Sequence, residues 1–382
     1  MQKIIRIGFI CREYPPCNHG GVGTFYKDLA EGLISRGHYV VVFGIYSKNV
    51  LDLSEARDEI INGVRVYRYP ETHTVLGPYF DDIFMRFQYR RITNRLIRKH
   101  NLDLIESNES TGHLPFTINK DLITRLHGSV TYISREINRP FSRFISYFER
   151  QQLKKSKLII GVSQYTLRKT VEYFKIHPKN SMTIYNSISD DFYSEDKPKS
   201  GKRITYFGQV SKKKGVWALF KAMGKVFVKH PDFELYVIGK YADVSKYELL
   251  SLIDQKYHNN IAFFTHMSRE DLRAKVSDSY CCVFPSFVEC FSLTPMEAMA
   301  LGIPVIYSSL HSGPELIQDG INGLLINPND FNEISEKINY LIENTDIAYR
   351  IGLTGQESIK NRFNYSNWLD QNIKVYENLL IK

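Results

Sequence analysis

The chain has 382 residues, 43% of them hydrophobic and 24% charged, with a net charge of +9. That length exceeds one comfortable core and predicts two domains, and the composition excludes a disordered or fibrous chain. Five cysteines with no C-x-x-C pair exclude zinc-ligand spacing and suggest no disulfide framework, which fits a reducing, cytosolic compartment.

In chain order, "IIRIGFI" reads as a buried first strand; it is too short for a membrane span and shows no signal-peptide cleavage pattern. "GTFYKDLAEGLISRGH" follows with apolar residues at Phe25, Leu29, Leu33 and Ile34, one helical face. "YVVVFGI" and "GVRVYRY" are strands. "FDDIFMRFQYRRITNRLIRKH" is a basic amphipathic helix carrying Arg86, Arg90, Arg91, Arg95, Arg98 and Lys99 beside Ile83, Phe84, Phe87, Ile92, Leu96 and Ile97. Such a helix either packs by its apolar side or lies on anionic lipid. "LDLIES", "LITRL", "KLIIGVS" and "SMTIYNSI" complete the first half.

Residues 190–202 are charged, contain Pro198 and Gly201, and lack an apolar period, so they are the expected linker. The alternation restarts with "RITYFGQV", "FELYVIG", "IAFFT", "CCVFPS", "PVIYSS" and "GLLINP". "YSNWLDQNIKVYENLLIK" is a terminal helix. Near-continuously apolar strands alternating with helices predict an α/β protein with two doubly wound parallel sheets, over 1–189 and 203–364. Ligands of such sheets bind outside the carboxyl ends of the strands, and a cleft between the two domains is the expected active site. Residues 1–190 carry +10 of the charge and 191–382 carry −1. The basic excess is thus confined to one half, without a recognisable nucleic-acid module, and no nucleic-acid partner is expected.

"PSFVECFSLTPMEAMALGIPVI" (Pro285–Ile306) holds two carboxylates, Glu289 and Glu297, in an otherwise apolar stretch. "TPME" matches a capping box, with Thr294 as cap, Pro295 in the first helical position and Glu297 reaching back; Gly302 suits a left-handed stop. Glu289 is then an ordinary loop residue. The same order also suits a ligand. Backbone amides around Ser292–Thr294 open a helix, which binds phosphate oxygens, and a carboxylate on either side can grip hydroxyls. A sugar nucleotide has that layout.

Glu289-x7-Glu297 followed by "SGPELIQDGINGLLINP" resembles the retaining glycosyltransferases of family 4, which have the GT-B fold of two Rossmann-like domains. The resemblance implies that Glu297 bonds the ribose and Glu289 the donor sugar near its reacting face. It places Phe291, Ser292, Leu293 and Thr294 at the donor, Gly20 and Gly21 of "HGGVGTF" against its diphosphate and the acceptor, and His127 of "LITRLHGS" near its sugar. Lys214 before Gly215 fits the diphosphate-neutralising lysine, and Gln209 stands where the family usually has arginine. Gln donates a hydrogen bond but brings no charge. Cys290 and Ser292 replace the family's glycines, and Ser163, Asn186 and Glu315 are looser matches. A Ser cap and an Asn turn explain the first two of these equally well.

The resemblance implies an enzyme that moves a hexosyl or N-acetylhexosaminyl group from a UDP-, GDP- or ADP-sugar to a glycan or lipid-linked hydroxyl. It needs no cofactor, and no D-x-D-type carboxylate cluster suggests a metal. The cysteine pattern points to the cytoplasm and the basic helix to a peripheral seat on the inner face of the membrane through residues 80–100, while the resemblance implies a terminal helix 365–382 that crosses back onto the first domain. A phosphorylase or nucleotide-sugar epimerase on the same frame is the first alternative, and a non-catalytic nucleic-acid-binding protein, suggested by the net positive charge, the remoter one.

Overall fold

The alternating strands fold into two parallel sheets in a computed structural model that describes residues 4–17, 20–48, 50–74, 77–189, 192–193, 201–265 and 267–381. By internal contacts the chain forms two units: Met1–Asn186 with Ser366–Lys382, and Ser187–Tyr365. Of the expected linker, residues 190, 191 and 194–200 lie outside the described set. Phe192, inside it, is buried and counts with the second unit.

In unit 1 the strands are β1 (Arg6–Ile10), β2 (Tyr39–Tyr46), β3 (Arg57–Ile61), β4 (Val64–Pro70), β5 (Leu104–Asn108), β6 (Asp121–Leu126), β7 (Leu158–Gly161) and β8 (Ser181–Thr183). They lie in the order β3-β4-β2-β1-β5-β6-β7-β8, all parallel except the antiparallel edge pair β3–β4. Ile7, Phe9, Val40, Val42, Ile105 and Ile123 are fully buried, as strands covered on both faces must be. The edge strand, "RDEII", is polar and exposed and carries no apolar alternation, so sequence reading passed over it.

Unit 2 holds β9 (Arg203–Phe207), β10 (Glu234–Ile238), β11 (Ile261–Phe264), β12 (Cys281–Phe284), β13 (Val305–Ser308) and β14 (Leu324–Ile326). The order is β11-β10-β9-β12-β13-β14, all parallel. Renumbered from its own first strand this is 3-2-1-4-5-6, the dinucleotide-binding order, whose topological switch lies between β9 and β12. Cys281 and Cys282 are buried core residues of β12.

The terminal helix Tyr365–Ile381 is anchored in unit 1 by a buried network. The Arg125 guanidinium on β6 donates to Glu106 on β5 (2.6 and 3.2 Å) and to Asn372 Oδ1 (2.6 Å), while the Tyr376 hydroxyl donates to Glu106 (2.7 Å). Both charged side chains are fully buried.

The basic helix forms over Pro78–His100, but its faces are not those expected. Arg86 points inward, fully buried, and donates to the carbonyls of Asp82, Thr111 and Gly112. Its cation also sits 4.1 Å from the Phe148 ring centroid. Conversely Phe84 and Phe87, grouped in the sequence with the apolar side, are exposed, because Met85, Tyr89, Leu96 and Ile97 already fill the sheet-facing stripe.

Candidate functional site

The switch point of unit 2 gathers two loops. After β9 the chain turns through Gly208 (φ 126°), passes Gln209 and enters a 3₁₀ turn, Lys212–Lys214, ending at Gly215 (φ 70°). A Cβ on Gly215 would lie 1.8 Å from the Pro285 carbonyl oxygen, so glycine is required for the loop after β9 to meet the loop after β12. The Phe287 amide donates to the Lys213 carbonyl (2.8 Å), and Trp217 stacks on Phe287 at 5.8 Å. His311 Nε2 bonds the Phe287 carbonyl from a third side.

This frame brings Lys214 Nζ against Glu289 Oε1 as an ion pair, both side chains mostly withdrawn from solvent. Below them Tyr206 and Tyr307 have hydroxyl pKa values pushed up by burial and, secondarily, by the Glu289 charge. Neighbouring Lys213 is pushed down by burial, then by the Lys214 charge. One cation of the lysine triplet is thus fixed in the site; Lys212 is exposed.

The helix after Glu289 runs Leu293–Ala300. The expected capping box does not form. Ser292 occupies the N-cap position, no side chain caps the helix, and Pro295 takes the third helical position rather than the first. The helix starts two residues ahead of the position its local motif suggests, after a loop tied by the cross-loop bonds at Phe287. The open first turn leaves the Leu293 and Thr294 amides pointing out of the helix end, which favours anions. Gly208 lies beside it, since a Cβ there would be 3.5 Å from Thr294 Cγ2. Glu297 is buried at the fifth helical position. Gly302 (φ 74°) stops the helix as expected, with Gly302 N–H to Met299 O (2.9 Å) and Ile303 N–H to Ala298 O (3.1 Å).

The remaining residues fall as follows. Phe291 is buried and packs its ring on Phe363 (5.4 Å), so its side chain serves the core rather than a ligand. Gln209 is exposed, and its carbonyl accepts the Tyr206 hydroxyl (2.6 Å). Glu315, in the short helix Gly313–Leu316, is half-buried.

Unit 1 holds the other candidates at the carboxyl ends of its strands. Gly20 caps and Gly21 begins the helix Gly21–Ser35, and His19 lies outside the described residues. The Gly20 amide donates to Glu13 (3.0 Å). Neither glycine has a positive φ, and a Cβ would meet nothing within 4 Å at Gly21 and only Glu13 at Gly20. The fold itself therefore does not demand glycine there. Ser163 is a buried helix cap, accepting from the Thr166 amide (3.1 Å) and donating to its hydroxyl (2.8 Å). Asn186 is the last residue of unit 1 before the crossing.

His127 follows β6 directly, its ring edge-on to Phe25 (4.6 Å) and Tyr26 (5.9 Å). Burial, then the Arg125 charge, pushes it down to about 3, so the imidazole is neutral at pH 7. Its Nε2 is buried and has no hydrogen-bond partner among the described residues. Sequence reading missed what holds it. Glu109, fully buried after β5, accepts the His127 amide (2.9 Å) and the Gly128 amide (2.6 Å). Glu149, also buried, accepts the amides of Thr111, Val130 and Thr131. Thr111 sits at φ 60° in the same turn, the kind of strain that collects at functional loops.

Burial pushes the Glu109 carboxyl from 4.5 to about 7. A carboxyl raised on folding binds more protons in the folded than in the unfolded chain across that window, so its contribution to stability is full below the unfolded value and is lost as pH rises through the folded one. We expect the melting temperature of the native protein relative to Glu109→Gln to decline between about pH 5 and about pH 8, by the equivalent of roughly 3 kcal/mol. A difference that stays flat across that range contradicts this.

Among the described residues no group of three or more His, Cys, Asp or Glu side chains is placed to hold a metal ion. Two cavities of about 520 and 640 Å³ open beside the start of β6, at the end of the unit 1 sheet opposite His127, and none of the candidate site residues lines them.

Residues 19–192 match the family model described as glycosyltransferase family 4, and residues 187–358 match that of glycosyl transferases group 1. An uncharacterized glycosyltransferase of Methanocaldococcus jannaschii is 25% identical over 396 residues, covering 98% of each chain. Among solved structures, sucrose-phosphate synthase from Thermosynechococcus elongatus superposes with a TM-score of 0.81 at 19% identity over 99% of each chain. Anabaena HepE, in complex with UDP and glucose, gives 0.77 at 18% identity over 98% of this chain and 100% of its own.

Proposed function

We propose that this chain, a glycosyltransferase of the GT-B type, moves a hexosyl or N-acetylhexosaminyl group with retention of anomeric configuration. The donor is a nucleoside-diphosphate sugar and the acceptor a hydroxyl of a glycan or lipid-linked glycan. The observation that carries this reading is the Lys214–Glu289 pair beside an uncapped helix end at the switch point of a 3-2-1-4-5-6 sheet. The solved complex of HepE with UDP and glucose supports a nucleotide-sugar donor.

In this reading the diphosphate sits on the Leu293 and Thr294 amides and the Lys214 ammonium, Glu297 bonds the ribose, and Glu289 holds donor-sugar hydroxyls. Gln209 donates to a phosphate oxygen without adding charge. As the anomeric carbon–phosphate oxygen bond breaks, negative charge grows on the diphosphate, where fixed amides and Lys214 stabilise it. The acceptor oxygen bonds the anomeric carbon on the same face, and its proton passes to the departing phosphate oxygen. Charge neutralisation is assigned to these groups rather than to a metal ion. By the resemblance to the family, neutral His127 is assigned as a hydrogen-bonding group for the sugar, and Gly20 and Gly21, which lack a Cβ, as places where a ligand approaches the backbone. In this reading a lipid-linked acceptor, where that is the one used, is met at the cytoplasmic face of a membrane.

The test is a thermal-shift panel of UDP-, GDP- and ADP-sugars, followed by product analysis with an acceptor. One nucleotide series is expected to raise the melting temperature, because it binds only the folded chain. Glu297→Ala is expected to weaken that nucleotide roughly 10- to 100-fold, the cost of one charge-assisted hydrogen bond. No shift with any of the three, or an epimerised sugar as the only product, contradicts the reading.

A further inference from the structure

The outer face of the helix Pro78–His100 is chemically unlike the rest of the surface. Of the chain's 23 phenylalanines, the exposed ones among the described residues are Phe80, Phe84 and Phe87, all on this helix. They recur at helical spacing on the side opposite Met85, Tyr89 and Leu96, and the same stripe continues into Arg91, Arg95 and Arg98, all exposed. Tyr79, 69% exposed, and Tyr147, 57% exposed, extend the aromatic end. Phe144 and Phe148 join them ring to ring, at 5.5 Å from Tyr79 to Phe144 and 5.3 Å from Tyr147 to Phe148. Phe87 stacks on Phe116 at 4.8 Å.

The acidic groups of this helix are engaged elsewhere. Asp81 accepts from the Thr74 amide and bonds His73, and Asp82 faces the buried Arg86. Arg90 and Arg95 spend one donor each on the Thr117 carbonyl and the Tyr69 hydroxyl. Arg91 and Arg98 make no hydrogen bond or ion pair among the described residues. The face is therefore apolar at one end and cationic without compensation at the other.

We propose that this face docks on an anionic phospholipid bilayer, with Phe80, Phe84 and Phe87 seated at the headgroup–acyl boundary and Arg91 and Arg98 on lipid phosphates. Exposed aromatics gain by leaving water, and a helix with one apolar and one basic region lies in the interface plane rather than across it. Crossing is not available to it, since no described helix is long and apolar enough to span a membrane. The choice of lipid rests on charge complementarity: the arginines along the same stripe need an anionic surface extended over the helix length, about 30 Å. This deepens the placement of the acceptor at a membrane and rests on that placement for its biological sense, but not for its test.

The test floats the full-length protein with vesicles of phosphatidylcholine alone or mixed with phosphatidylglycerol, with neither donor nor acceptor present. The protein is expected on the mixed vesicles and not on phosphatidylcholine alone. The triple variant Phe80→Ser, Phe84→Ser, Phe87→Ser should keep its melting temperature and lose partitioning by roughly a hundredfold or more. Arg91→Gln with Arg98→Gln should lose roughly tenfold, and carries the test should the triple variant fail to fold. A native protein that stays off anionic vesicles overturns the proposal, as does equal binding to both compositions. A triple variant that binds as the native protein does, or whose only change is a higher KM for a glycan in solution, also overturns it. Failure here leaves sugar transfer standing, and vesicle binding without transfer would sink only the transferase reading.

Discussion

Glu289→Gln is expected to lower kcat by roughly 10²–10³, the scale of removing one fixed electrostatic group from a transition state. Nucleoside diphosphate should bind the variant as tightly as the native enzyme or several-fold more tightly. The reason lies in the resting pair. Lys214 is held by Glu289, so a donor diphosphate must compete with that carboxylate for the ammonium. Removing the carboxylate's charge frees Lys214 for phosphate but takes away the grip on the donor sugar. Lys214→Ala should instead lose both, with weaker diphosphate binding and kcat down by a similar factor. Single-turnover rates and calorimetric titration of the nucleotide separate the two variants. Weaker nucleotide binding in Glu289→Gln than in Lys214→Ala would reverse the assigned roles.

Arg125→Met is expected to be the most destabilising single change in unit 1. Arg125 and Glu106 are both fully buried and share two hydrogen bonds, and the terminal helix adds Asn372 and Tyr376 to the same cluster. Deleting the cation leaves the Glu106 carboxylate in an apolar interior with the Tyr376 hydroxyl as its remaining donor among these contacts. Such broken pairs cost about 3–5 kcal/mol, which lowers the melting temperature by roughly 10 °C in a domain of this size. Tyr376→Phe, which removes one hydrogen bond, should cost about 1–2 kcal/mol. Joint replacement Arg125→Met, Glu106→Leu should recover much of the loss, because it removes the buried charge along with its partner. A drop of less than about 2 °C for Arg125→Met alone contradicts this account of how the helix is held.

The elements legible in the sequence are those whose information is local. Runs such as "CCVF" and "VVVF" are apolar enough to name buried parallel strands, and the order of strand, loop and helix put Lys214 and Glu289 at strand ends. Gly302 stops its helix because its left-handed conformation is a property of one residue. The start of that helix is not local. Bonds from Phe287 to Lys213 and His311 tie the preceding loop, and Ser292 rather than Thr294 becomes the cap. Glu109 and Glu149 escaped for the same reason, since the amides they accept lie 18 to 38 residues away in sequence. The helix Pro78–His100 carries two apolar stripes, and periodicity does not say which meets the sheet. The burial of Arg86 is settled by carbonyls of the Thr111–Gly112 turn, where both residues have positive φ.

The most direct measurement is a crystal structure of the protein soaked with the nucleoside diphosphate that gives the largest thermal shift. The account predicts the phosphates within hydrogen-bonding distance of the Leu293 and Thr294 amides and Lys214 Nζ, with the ribose hydroxyls on Glu297. A nucleotide ordered anywhere else on the chain, with the first turn of the helix Leu293–Ala300 untouched, would contradict it.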